Sequence, residues 1–169
     1  RAQFPTLVNG TGGSVIASAV EVRDSRYYDT TFTAPIGTNT GSSGTMFSYA
    51  AFYVQAYLDN TRIQIDANND GDFLDADDRD VVVNQGVTVV SGQNVVQGGR
   101  VVADRPVQAD LLTGQIGGAY ASRTYALFSN AQLANDYFTP VGFDSAVDGT
   151  NDDVRVFVFN SGTKDIQVT

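Results

Sequence analysis

Residues 81–114 read VVVNQGVTVVSGQNVVQGGRVVADRPVQADLLTG, and this stretch decides the fold class. Short valine-rich runs are broken by Asn-Gln-Gly, Ser-Gly-Gln and Gln-Gly-Gly, the spacing of antiparallel strands in a sandwich or barrel. Pro106 is expected at the mouth of a strand, where a missing N–H is tolerated. Immediately upstream, TRIQID at 61–66 alternates Ile63 and Ile65 with Arg62 and Gln64, a half-buried strand entered through a tight turn at Asp59-Asn60. Before it lies the most apolar segment, TMFSYAAFYVQAYL at 45–58. Phe47, Tyr49, Tyr53 and Tyr57 share one parity, and Phe52, Val54, Ala56 and Leu58 share the other. That pattern predicts a long strand covered on both faces, with a helix as the alternative.

Further outward the pattern weakens. Residues 14–22 and 24–33 read as strands, and 33–44 as a long loop of small residues. On the other side, strands are expected over 122–128, 137–143, 154–159 and 165–169. SNAQLAND at 129–136 is the one short helix expected, capped by Ser129 or Asn130 and at most two turns long. Residues 1–13, RAQFPTLVNGTGG, form an N-terminal arm or edge strand, and 14–169 a single domain. The expectation is an all-β, antiparallel β-sandwich of jelly-roll or Greek-key type. No internal repeat points to a solenoid or propeller.

Composition supports the same class. The 22 Val, 16 Thr, 10 Phe and 8 Tyr favour a pleated surface, whereas one Glu, one Lys, one Met and seven Leu leave little with which to build helices. At 42 % hydrophobic residues the 169-residue chain can bury a core, and no segment has the ~18 uninterrupted apolar residues of a membrane span. A net charge of −9 argues against nucleic acid as a partner. His, Cys and Trp are absent, which removes imidazole acid–base catalysis, thiol nucleophiles, disulfides, and metal sites built on His or Cys. The chain opens at Arg1, read as the product of a removed leader or precursor, or as the start of an excised fragment.

One segment carries chemistry. Residues 66–80, DANNDGDFLDADDRD, hold seven of the 18 aspartates and one arginine, so −6 of the net −9 sits there. Asp66, Asn68, Asp70, Gly71, Asp72 and Asp77 fall at positions 1, 3, 5, 6, 7 and 12 of a calcium loop. Calcium is hard, takes six to eight oxygens and accepts irregular geometry, so alternate side chains of a short loop can wrap it. Gly71 supplies the positive φ needed at position 6. Position 7 contributes a backbone carbonyl, so the Asp72 side chain need not bind; Leu74 at position 9 leaves a water or Asp75 to complete the shell. The predicted metal ligands are therefore Asp66, Asn68, Asp70, Asp72 and Asp77, with Ca²⁺ as the ion. The alternative is a solvated acidic turn.

DxNxDGxxxxxD resembles the EF-hand loop and, more closely, the dockerin-type variant that ends in Asp. It departs in two ways: its entry, TRIQID, is a strand, and there is no second copy. TxIxIDxNxDG, the valine-rich hairpins, GGRVVADRPVQADLLTG, SRTYALF and DYFTPVG together resemble β-rich domains of large bacterial and archaeal surface proteins. Those domains are similar to the N-terminal region of IgGFc-binding proteins, and the resemblance covers residues 50–169. It implies an extracellular or cell-surface structural role and brings no catalytic residues.

Other candidates are weaker. Asp104, next to Arg105, and Asp110 are expected to pair with Arg100 or Arg123 across the sheet, and Arg123 beside Ser122 has no base to activate the serine. No spacing among Asp110, Asp136, Asp144 and Asp148 selects a glycosidase pair. Tyr27, Tyr28, Tyr120 and Tyr125 are candidates for a carbohydrate platform, and Asn9-Gly10-Thr11 is a lone glycosylation triplet. The expectation is a non-enzymatic, calcium-stabilised, secreted structural or adhesive module that self-associates into a filament or layer. In that reading the arm adds a strand to a neighbour's sheet edge. The alternative is a carbohydrate-binding module with a glycan as partner.

Overall fold

The computed structural model describes residues 22–40, 47–92, 94–116, 123–137 and 157–168. The arm over 1–13, most of the strand over 14–22 and the segment 138–156 lie outside them, so the expectations for those stretches stand where they were. The described chain is all-β: a 3₁₀ turn (Ser25–Tyr27), then β1 (Asp29–Thr33), β2 (Tyr49–Ala56), β3 (Thr61–Asp66), β4 (Arg79–Val83), β5 (Thr88–Val90), β6 (Arg100–Gly114) and β7 (Arg123–Ala126). A second 3₁₀ turn (Asn130–Gln132) follows. All pairings are antiparallel within one strongly curled sheet, a half-barrel. The all-β, antiparallel class expected from the sequence is present, and among the described residues it takes the form of one curled sheet, without a second sheet packed on it.

The sheet is organised by β6, which at 15 residues is long enough to serve four partners. Its first half pairs with β3 (Ile63↔Ala103, Asp66↔Arg100) and its second half with β2 (Ala56↔Val107, Tyr49↔Gly114). Val101 lies between Ile65 and Phe32, Val107 between Ala56 and Asp29, and Leu111 between Phe52 and Tyr125. β2 and β3 therefore run along one edge of β6, and β1 and β7 along the other. β5 and β4 continue the pattern on the outer side of β2 and β3, so the sheet consists of four long tracks.

Three of these tracks share one crease, at 57–60, 84–87 and 104–106. There the ladder gives way to side-chain bonds: Arg62 N–H donates to Asp104, Gln85 N–H to Asp59 Oδ1, and the Arg105 guanidinium to the Asp59 carbonyl. Pro106 is therefore inside β6, not at its mouth. It sits where the track bends, and its carbonyl accepts from Tyr57 N–H. Asp104 and Arg105 brace this crease, and among the described residues Arg100 pairs with Asp66 rather than with Asp104; Asp110 is held by Gln108.

The crease also keeps the core on one face. In β2 the even residues Ala50, Phe52, Val54 and Ala56 are buried in the main core, and in β3 the odd residues Ile63 and Ile65 are. The interval between Ala56 and Ile63 changes parity, which a regular strand cannot do without turning its apolar set to the other side. Odd residues of β6 (Val101, Ala103, Val107, Ala109 and Leu111) complete this face. Phe32, Ala34, Ile36, Phe47, Val95 and Leu127 pack against it. Burying a side chain such as Phe52 contributes about 1.5–3 kcal/mol. The opposite face is covered locally too, where Tyr49, Ala51 and Leu112 form a second small cluster, so β2 is buried on both faces as its pattern predicts.

The expected helix over 129–136 is only one 3₁₀ turn. Ser129 is its N-cap residue: Gln132 reaches back to accept from Ser129 N–H, and the Ser129 hydroxyl donates to Asp29. Leu133 is already extended (φ −66°, ψ 139°), which ends the turn. The described parts of the strands expected over 154–159 and 165–169 carry no sheet pairing. Among the described residues no helix is long and apolar enough to cross a membrane.

Candidate metal centre

The acidic segment is the connection of the β3–β4 hairpin. Ile65 and Arg79 are paired across its base, so the chain leaves along a strand and returns along one. A cascade of short bonds folds what lies between: Asn68 Oδ1 accepts from Asp70 N–H, Asp70 Oδ1 from Asp72, Asp72 Oδ1 from Leu74, and Asp75 Oδ1 from Asp77. Each is an Asx turn, in which the side chain replaces a backbone acceptor two residues away. Asn69 and Gly71 take positive φ (59° and 103°), the glycine at the position where the calcium-loop pattern requires it.

Asp70, Asp72 and Asp78 each bring a carboxylate oxygen to within 4.8 Å of the other two. Asp70 and Asp72 are exposed and Asp78 is buried. This cluster could hold a metal ion, and its all-carboxylate donor set suits a hard cation. Asp70 is held below the usual carboxylate range, first by the Asp72 N–H bonded to it. Asp78 is pushed above that range, first by burial and then by the charges of Asp75, Asp66 and Asp70, against the opposing bond from Ala67 N–H.

At the root of the loop are two buried carboxylates. Asp66, 0 % exposed, accepts on Oδ2 from Gly71 N–H and from Arg100 Nε and Nη2, at 3.2, 3.1 and 2.8 Å. Its Oδ1 accepts no hydrogen bond. Asp78 accepts from Ala67 N–H on Oδ1 at 3.0 Å, and its buried Oδ2 likewise has no donor. A buried charged oxygen without a donor costs several kcal/mol unless a cation or proton attends it. Arg100 attends Asp66 and lies 5.9 Å over the Phe73 ring; among the described residues the Asp78 carboxylate has no arginine partner, Arg79 donating to its backbone carbonyl instead.

The residues predicted from spacing are thus only partly gathered. Asp70 and Asp72 are in the triad, and Asp72 brings its carboxylate rather than only a carbonyl. Asn68 supports the loop by donating to Asp70 and Asp75. Asp66 is tied to Arg100, and Asp77 is outside the triad, its carbonyl accepting from Gly92 N–H. Asp78 stands in the triad although the spacing did not select it. The twelve-residue pattern assumes a helical exit, whereas here the exit is a strand. The consecutive acids Asp77-Asp78 were the available signal. Comparisons with family models, curated proteins and solved structures find no match to this chain.

Proposed function

We propose that this chain is a calcium-braced β module with a structural or adhesive role outside the cell. The observation that carries the reading is Asp78: buried, with one oxygen lacking a donor, and grouped with Asp70 and Asp72. A divalent cation would offset three converging carboxylates and join the tip of the loop to its root. Calcium is favoured over magnesium because a carboxylate-rich, irregular cage suits its loose coordination. Its work here is bracing; no residue is assigned a catalytic role.

The proposed setting is extracellular, where calcium modules bind at about 10⁻⁴ to 10⁻³ M. The sequence pattern's resemblance to β-rich surface-protein domains favours the same setting. Self-association by strand addition is supported by the sheet's outer track: β4 and β5 each pair on one side only among the described residues, and Val82 and Val90 beside that edge are exposed. The apolar arm over 1–13 is the proposed donor strand.

Calcium calorimetry together with light scattering tests both parts. One calcium per chain is expected, with assemblies that shrink in EGTA and are lost when residues 1–10 are deleted. No heat of binding would overturn the calcium reading, and assembly that survives the deletion would overturn the arm's role.

A further inference from the structure

The cleft beside the metal loop has a composition that the calcium reading does not use. It is an open depression of about 480 Å³ that draws its walls from the end of β1 (Thr33), the loop (Asn69), the turn before β6 (Gly98, Arg100), the second 3₁₀ turn (Asn130) and the segment around Phe159. That volume is in the range of small-molecule sites.

Its polar groups are mostly neutral: the Asn160 amide is bonded to Lys164 and Gly162, which leaves Asn69 and Asn130 to face a ligand. Asn130 accepts from the Thr33 hydroxyl at 3.0 Å, which fixes the amide and leaves its Nδ2 hydrogens free to point elsewhere. Asn69 is set by its left-handed backbone and by close contact with Gly98: a Cβ there would fall 2.7 Å from Asn69 Nδ2. The one guanidinium, Arg100, is already neutralised by Asp66. Phe159 and Leu133 supply apolar surface beside these amides.

We infer that this cleft is a binding site for a neutral saccharide unit. Each carboxamide offers a donor and an acceptor side by side, the match for neighbouring sugar hydroxyls, which both give and take hydrogen bonds. The apolar flank suits the C–H face of a pyranose ring. An anion would find its only cation already paired, and a hydrocarbon would leave the amides without partners. The site differs from the tyrosine platform considered from the sequence: Tyr28 is stacked edge-on with Tyr57 and bonded to Gln108, and neither Tyr27 nor Tyr125 lines the cleft. The inference does not require the loop to hold calcium.

The full chain, in calcium buffer, is applied to an array of neutral, sialylated and sulfated glycans with unmodified peptides alongside. Retention of neutral glycans is expected, weakened about tenfold by Asn130→Ala and by Asn69→Gly. Asn69→Gly keeps the positive φ while removing the amide, and calorimetric calcium binding by both variants separates damage to the loop from loss of the sugar site. The inference is overturned by no retention of neutral glycans, by retention that both variants leave unchanged, or by retention confined to acidic glycans or peptides.

Discussion

Replacing Asp78 by Asn should change the sign of its effect on stability with calcium. Asn keeps an oxygen for Ala67 N–H, now 3.0 Å from Asp78 Oδ1, and removes the charge. Without metal, burial and the neighbouring Asp75, Asp66 and Asp70 disfavour the carboxylate, so Asp78→Asn should melt above the wild type in EGTA. With metal, the same change removes one charged ligand of three. For a Kd of about 10⁻⁴ to 10⁻³ M, calcium at about 10⁻² M stabilises the fold by about 1.4–2.7 kcal/mol. In a chain of this size that is a rise of roughly 3–10 °C in Tm. A tenfold weaker site loses about 1.3 kcal/mol of it at the tight end and about 1.0 kcal/mol at the weak end. Thermal melts of both proteins in EGTA and in calcium should therefore cross. A wild-type Tm that is the same in both buffers, or an Asn variant lower by the same amount in each, would refute the reasoning.

Two glycines should separate steric from conformational cost. A Cβ at Gly37 would lie 2.3 Å from the Val96 backbone carbon, so Gly37→Ala should lower stability by at least about 3 kcal/mol in urea melts. Gly86 has φ +80° and open space around it, so Gly86→Ala should cost only about 1 kcal/mol. Burial pushes the Asp110 carboxyl above its ordinary value, with Gln108 and Arg23 opposing. Its raised folded pKa gives a contribution fully present below the unfolded pKa and lost as pH rises through the folded one. Asp110→Asn should thus be the more stable protein at neutral pH, with an advantage that shrinks as the pH is lowered towards 4.

The strands and the acidic loop were legible because their signals are local. Alternation in TRIQID follows from the two-residue strand period, and Gly71 at the sixth loop position follows from the need for a positive φ. The loop's ligand set was legible only in part, since spacing measures distance along the chain and assumed a helical exit. Asp78 took its place because the return is a strand. Ser129 shows both sides: its N-cap position was legible locally, whereas the bond from its hydroxyl to Asp29, a hundred residues away, was not.

The sequence by itself determined the class, through β-branched and aromatic residues at strand spacing, and it determined where the charge collects. Only the tertiary structure decided that one 15-residue strand serves four partners, that a shared crease curls the sheet, and that Asn69, Asn130 and Phe159 border one cleft. Strand period and loop charge are properties of neighbours in the chain. Which strands pair, and which side chains then face each other, depends on contacts between distant residues, where many pairings satisfy the same local pattern and packing selects one.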